Sequence, residues 1–480
     1  MTDKTAPLIV GKQPLPARLE PDAIGVAQDV VIGMATSAPA VSVGLILAGL
    51  AMATAYSSGL IILITAIPML IIANAYRKLN LWNANCGASF EWVGRSISPS
   101  LGFFTGWLMI AGNVIGTVSG VIVLGPSVLA VFGDNATAAW PNVIISTIVV
   151  LVMLLIAVLG IRLTARTQVG MAAVEYVILV GIAIAGLVFV LGHHKGTVPI
   201  TSAWFKFGGI GGKGGVMGGF LFAVFAFTGW DATVYVNEEV KHRRKNPGRA
   251  AMIAVACLAV IYTISIVGLQ GVVSPSKLQA NYTSVLPVLA QAIDGSGLAK
   301  VMAVGLALSV IGTTGTSIVV IARILYGMAS YRTLPAALGN VSRRFSTPAT
   351  ASVVTGVLLI VIGAIYLLAT SVKGAFNDLL NDSGILYIAF YVLSGLATIV
   401  YYRRQVFKGV ANALSLGLLP LAAGAFLTYI VVRATQGAPA AQNWALVITG
   451  GVGILLLLSA RYIQKSEFFS IPRESDSGES

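Results

Sequence analysis

The chain has 480 residues, of which 57% are hydrophobic and only 10% charged, with a formal net charge of +13 and a mean hydropathy of +0.89. Globular proteins carry about 25% charged residues, and no aqueous fold hides this much apolar surface, so a string of soluble domains is excluded and lipid is the main solvent. Two cysteines, Cys86 and Cys257, exclude a disulfide scaffold or a cysteine-rich metal site, and three histidines leave little for zinc or haem, so neither metal nor cofactor is expected.

Taken in order, the chain opens with a polar, proline-rich tail (1–23) that lacks the basic start and apolar core of a cleaved signal peptide. The 47 uncharged residues between Asp29 and Arg77 hold two helices of about 20 residues each, dividing near Tyr56 to Gly59. Further charge-free stretches cover residues 96–133, 135–161, 250–276, 301–322, 345–372, 383–402, 409–432 and 434–460. Two more apolar segments each carry one acid in their apolar part, Glu175 in 167–194 and Asp231 in 214–240. The sum is an all-α membrane protein of twelve spans. Between them lie an outer loop at 193–215, a segment at 273–299 with a short surface helix expected over 281–293, and a polar tail at 464–480 expected to be disordered. The glycine-rich run at 208–219 matches G-x-G-x-x-G at Gly209, Gly211 and Gly214. It lacks the strand before and the βαβ helix after that a dinucleotide site requires, so it reads as a flexible linker.

An even number of spans puts both termini on one side. The tails and even-numbered loops hold 23 of the 30 Lys and Arg residues, and the opposite side holds 7. The positive-inside rule therefore places both termini in the cytoplasm of a multi-pass protein of the cytoplasmic membrane. The same rule accounts for the net charge without nucleic acid, and it makes the cluster from Lys241 to Lys245 a topology anchor.

Function in such a bundle lies where helices are interrupted or carry charge. In the first span Pro39 leaves the carbonyl of Ala35 without its helical donor, amid the small residues Gly33, Thr36, Ser37, Ala38 and Ala40. The competing reading is a proline kink with close helix packing. In the sixth span Gly229 interrupts a run of aromatics and Asp231 follows, ten residues before Lys241 and so roughly 15 Å deep at 1.5 Å per residue. A carboxylate at that depth costs roughly 2.5–3.5 kcal/mol and faces protein or a wet cavity. Glu238 and Glu239 sit at the cytoplasmic end and need no special role. Two interruptions five spans apart are what an inverted repeat produces, and such paired broken helices mark a transporter site. Freed amides attract an anionic group and freed carbonyls a cationic one, so a zwitterion suits both.

At these residues the chain resembles the amino acid–polyamine–organocation (APC) superfamily. FAFTGWDATVYVNEEVKHRRKNPGRA, from Phe225 to Ala250, is similar to that family's sixth helix and following loop. GIRLTARTQ (Gly160 to Gln168) is similar to its entry to helix five, and ARILYGMASYRTLP (Ala322 to Pro335) followed by TPA (Thr347 to Ala349) to its helix-eight end. CGASFEWVGRSISPSLGFFTGW, from Cys86 to Trp107, resembles the lead into helix three. The resemblance implies a leucine-transporter-type fold: helices 1–5 (24–192) and 6–10 (216–404) as inverted repeats, with helices 11 and 12 (405–463) outside. It places the substrate carboxylate around Thr36, Ser37 and Ala38, beside Pro39. It places the amine near Ala35 and the stretch Phe225, Ala226, Phe227, Thr228 up to Gly229, and it sets Asp231 beside the pathway. Where proton-coupled members carry a helix-five lysine, seven residues after the Gln, this chain has Glu175, which can take a proton or balance a sodium ion or an amine. Thr313, Thr314, Thr316 and Ser317 could face a sodium-like site.

The expectation is a secondary active transporter, not an enzyme, importing an amino acid or small amine with the proton gradient by alternating access. Sodium symport and solute exchange are the rivals within the class. A membrane enzyme would need a nucleophile–base pair that the span interiors lack, and a channel a ring of charges or a filter segment that is not visible.

Overall fold

The computed structural model describes residues 18–132, 139–192, 197–207, 212–273, 293, 296–369, 372–436 and 440–476. Among these the regular elements are helices, apart from an isolated bridge between Ile24 and Val240. The first crossing is assembled from pieces: α1 (Val26–Thr36), the single turn α2 (Pro39–Val41), a π-turn (Ser42–Ile46) and α3 (Leu47–Thr54). Then come α4 (Ser58–Trp82), α5 (Ser89–Ser96), α6 (Pro99–Val131), α7 (Ala139–Leu159) and α8 (Ile161–Leu191). The second part contains α9 (Gly212–Ala226), α10 (Ala232–Tyr235), α11 (Asn246–Val272), α12 (Ser296–Ser330), α13 (Ala349–Ala369), α14 (Val372–Tyr401), α15 (Leu419–Gln436) and α16 (Ala440–Leu458).

Eleven helices among the described residues are long and apolar enough to cross a membrane. The sixth expected span is not one of them, because the chain breaks at Gly229 into α9 and the one-turn α10. Elsewhere the helices overrun the charge-free stretches. α12 passes through Lys300 and Arg323, and α14 through Asp378 and Asp382. Arg323 stays inside because a carboxylate meets it there (below), so a charge did not mark the helix end. Asp29, taken as the edge of the first span, is likewise inside α1 and fully buried. The surface-helix expectation at 281–292 and the glycines at 208–211 lie outside the described residues. From Gly212 on, the expected linker is helix α9. Backbone at membrane depth must be internally hydrogen-bonded, and at Gly219 an added Cβ would lie 2.4 Å from Thr54 Cγ2, so Gly219 lets α9 approach α3.

α6 packs against α12 and α14, α11 rests on α4 and α8, and α1 lies against α11 and α8. Outward-facing Leu155, Val177, Ile365 and Leu455 are exposed, the apolar belt that lipid solvates.

The start of α1 and the segment 466–476 meet the same face. Ile24 N–H donates to Glu239 O (3.1 Å) and Lys241 N–H to Ile24 O (2.9 Å), fastening the start of α1 to the segment after α10. Glu239 accepts both Nε and Nη2 of Arg323, at 2.9 and 3.0 Å, with neither side chain exposed. Glu238 accepts the Cys86 N–H at 3.1 Å. Both glutamates, expected to be idle, thus tie this face together.

On α5, Glu91 accepts from Asn83 Nδ2, Tyr331 OH and Arg95 Nε at 3.0, 3.0 and 3.3 Å. Burial pushes its carboxyl above the usual range, and Arg95, Asn83 and Tyr331 offset only part of that. The C-terminal segment, expected to be disordered, is docked as far as residue 476. Phe468 is fully buried and stacked on Phe90 with centroids 4.1 Å apart. Arg95 Nη1 donates to Glu474 Oε1 at 2.7 Å and Asp476 N–H to Tyr401 O at 3.1 Å. One buried aromatic outweighs the polar composition that signalled disorder.

Candidate functional site

Pro39 has no N–H and cannot continue α1. The helix closes with Ser37 N–H on Gly33 O and Met34 O and Ala38 N–H on Ala35 O (3.1 Å), and Ala38 turns left-handed at φ 46°. The carbonyl of Ala35, freed by the proline, gains a donor from another helix: Thr313 Oγ1 of α12, at 2.7 Å. Beyond the proline, Ala40 N–H lies 3.0 Å from Glu175 Oε1 and 3.2 Å from Ser309 Oγ. Ser42 N–H returns to Ala38 O (2.8 Å) and its hydroxyl to Ser37 O (2.9 Å).

The second break repeats the scheme with glycine. At the end of α9, Thr228 donates both its N–H (2.9 Å) and its hydroxyl (2.8 Å) to Phe225 O. Gly229 then takes φ 99°, a region other residues rarely enter. A Cβ on Gly229 would lie 2.8 Å from Ser37 N and from the carbonyl carbon and oxygen of Thr36. The two unwound stretches therefore touch backbone to backbone.

Beside this contact is a small cavity, partly open to solvent. The first break contributes Thr36, Ser37, Ala38, Val41 and Ser42, the second Phe225 and Thr228, and α12 Thr313 and Ser317. α6 supplies Gly116, Thr117, Ser119 and Gly120, and α14 supplies Leu380 and Tyr387. Tyr387 is fixed by donating to Asn113 Oδ1 at 2.8 Å. None of the lining side chains is charged. The hydroxyls of Thr36, Ser37, Thr228 and Thr313 all donate to backbone carbonyls, so their oxygens face the cavity as acceptors.

The structure thus gathers Thr36, Ser37, Ala38, Phe225, Thr228, Thr313 and Ser317 around one space. Ala35 and Pro39 are buried behind it, and Gly229 forms the contact between breaks. Ala226 and Phe227 are fully buried, with the Phe227 ring edge-on to Tyr262. Thr314 donates within α12 to Val310 O (2.8 Å) and is not on the cavity wall. Glu175 reaches the break from behind, through Ala40, with no cationic side chain paired to it among the described residues. Asp231 accepts from Tyr235 OH and, at 2.7 Å, from Tyr391 OH, beneath stacked Trp230 and Tyr391. It joins α10 to α14 away from the cavity wall.

The α6 and α14 walls were missed by sequence reasoning. The only signal was the glycine pair Gly116 and Gly120, a small-xxx-small spacing that reads as helix packing.

A family model described as amino acid permease matches residues 30–455. The chain is 22% identical to the D-serine/D-alanine/glycine transporter of Escherichia coli K12, over 70% of this chain and 71% of that protein. It is 26% identical to the Amino-acid permease GAP5 of Candida albicans, over 75% and 59%. To the human Asc-type amino acid transporter 1 it is 27% identical, over 50% and 42%.

Proposed function

The chain belongs to the amino acid permease family of the APC superfamily, and from that premise we propose that it is a proton-driven importer of an amino acid across the cytoplasmic membrane. The observation that carries this reading is the pair of broken helices pressed together beside an uncharged, hydroxyl-lined cavity, with Glu175 bonded to the first break. The substrate carboxylate lies at the first break, near the Val41 amide, since the Ser37 and Ser42 hydroxyls donate their protons to Gly33 O and Ser37 O. The ammonium group lies against the carbonyls from Ala226 to Thr228. An amine without a carboxylate finds no acid on the cavity wall, which favours an amino acid over a polyamine.

Transport proceeds by alternating access, the first and sixth of twelve spans rocking in a 5+5 inverted repeat. Breaks at matching places in spans one and six support that arrangement, and 23 Lys and Arg residues against 7 support the cytoplasmic placement of both termini. Glu175 is the coupling group. Burying an unpaired carboxylate costs several kcal/mol, so a proton bound there relieves that cost and weakens the hold on Ala40. Sodium is the weaker candidate, because the Ala35 carbonyl it would need already accepts from Thr313 and Ala38.

Proteoliposomes with imposed pH or sodium gradients test the reading. Glu175→Gln is expected to lose accumulation driven by a pH gradient while keeping equilibrium exchange of the same amino acid. Undiminished proton-driven accumulation by the variant, or accumulation driven by sodium alone, overturns the coupling assignment.

A further inference from the structure

Resting on that reading of the cavity, we propose that Gly116 and Gly120 of α6 receive the substrate's side chain and set its upper size, making the substrate a small neutral amino acid, between glycine and valine in bulk. Glycines in a membrane helix ordinarily let another helix come close, and several on α6 do so. Added Cβ atoms at Gly102, Gly106 and Gly125 would lie 2.4, 2.7 and 2.7 Å from the nearest neighbouring atom. Gly120 is different: a Cβ there meets nothing within 4 Å, and the space it would enter is the cavity. At Gly116, one turn earlier on the same face, a Cβ meets Ser383 Cβ at 3.5 Å and Tyr387 Cε2 at 3.7 Å, ordinary contacts. Close packing therefore requires neither glycine, and both leave bare helix backbone on the cavity wall, Gly116 beside α14 and Gly120 open to the cavity.

The residues around that bare backbone define what enters. Thr117 and Ser119 spend their protons on Asn113 O and Gly116 O, each at 2.6 Å, and offer only oxygen lone pairs. Phe225, Val310 and Leu380 are apolar, and Tyr387 is immobilised by Asn113. A charged side chain would lose its hydration here and gain no counter-ion, so lysine and glutamate are excluded by desolvation rather than by bulk. A short apolar or hydroxyl side chain incurs no such loss.

The test is uptake into proteoliposomes of glycine, alanine, serine, valine, leucine, lysine and glutamate by wild type, Gly120→Ala and Gly120→Val. Wild type is expected to take the small neutral members and refuse the charged ones. In the variants, kcat/KM for valine relative to glycine is expected to fall in steps with side-chain size, about tenfold for Gly120→Ala, the size of effect one misplaced methyl group produces in a pocket, and further for Gly120→Val. An unchanged ratio, or an equal loss for every substrate, overturns the subsite, as does efficient wild-type uptake of lysine or glutamate. Should Gly120→Val fail to fold, the ratio in Gly120→Ala decides alone. Wild-type vesicles that accumulate no amino acid at all refute instead the transport reading on which the subsite rests.

Discussion

Gly229→Ala tests the contact between the two breaks most directly. The added methyl would sit 2.8 Å from three backbone atoms, Ser37 N and the carbonyl carbon and oxygen of Thr36. Backbone offers no rotamer through which to yield, so one broken helix must move. Holding a non-glycine residue at φ 99° costs about 1–3 kcal/mol, and overpacking a well-filled site another 1–3 kcal/mol or so. The sum, roughly 2–6 kcal/mol, falls on the arrangement in which the breaks touch and lowers its population at least about 30-fold. Gly181→Ala is the matched control: that glycine is exposed on α8, a Cβ there meets nothing within 4 Å, and alanine should favour the helix by about 0.5–1 kcal/mol. Initial uptake rates and melting temperature in the same detergent separate the two variants. Near-wild-type uptake and melting in Gly229→Ala would refute the claim that the breaks are in close backbone contact.

Two further outcomes follow from the terminal face. Arg323→Met strands the Glu239 carboxylate in a buried site and should cost about 3–5 kcal/mol, visible as a lower melting temperature. Adding Glu239→Gln to that variant should restore much of the loss, and no recovery in the double variant would mean the pair is not coupled. For Glu91, burial raises the carboxyl's affinity for its proton above that in the unfolded chain. Its contribution to stability is therefore greatest when protonated and declines as pH climbs from the ordinary carboxylate range through the raised value. Melting curves of Glu91→Gln across that window should lose this decline, and an identical slope in both proteins would contradict the assignment.

How much of this could be read beforehand differs from residue to residue. Pro39 and Gly229 were legible because each acts on its own backbone: one lacks a donor, the other permits a conformation, and neither needs a partner to do so. Glu175 stood out as a lone acid in an apolar segment, and its depth followed from counting residues. What it touches did not, since Ala40 lies 135 positions away. Arg323 and Glu239 looked like loop charges, because the pairing that lets Arg323 remain inside α12 joins residues 84 apart. Asp29 misled for the same reason: a charge was taken for a membrane edge. The cavity wall on α6 and α14 was invisible because a glycine that serves packing and one that serves space are written with the same letter. Only the neighbours across the gap distinguish them.

The anchored C-terminus has a consequence for how the protein is handled and controlled. Residues 466–476 hold Tyr331 beyond α12, Arg95 on α5, Tyr401 on α14 and, through Glu474, Trp82 at the end of α4. These are helix ends on one face of the bundle, from both halves of the chain, fastened by a single strap. Whatever grips that strap, whether a fused tag, an antibody or a protease, competes with its seat. By reciprocity, helix positions that loosen the seat make the strap easier to seize, and seizing it favours those positions by the same free energy. Digestion of the last dozen residues thereby becomes a clock for the movements of the bundle above them.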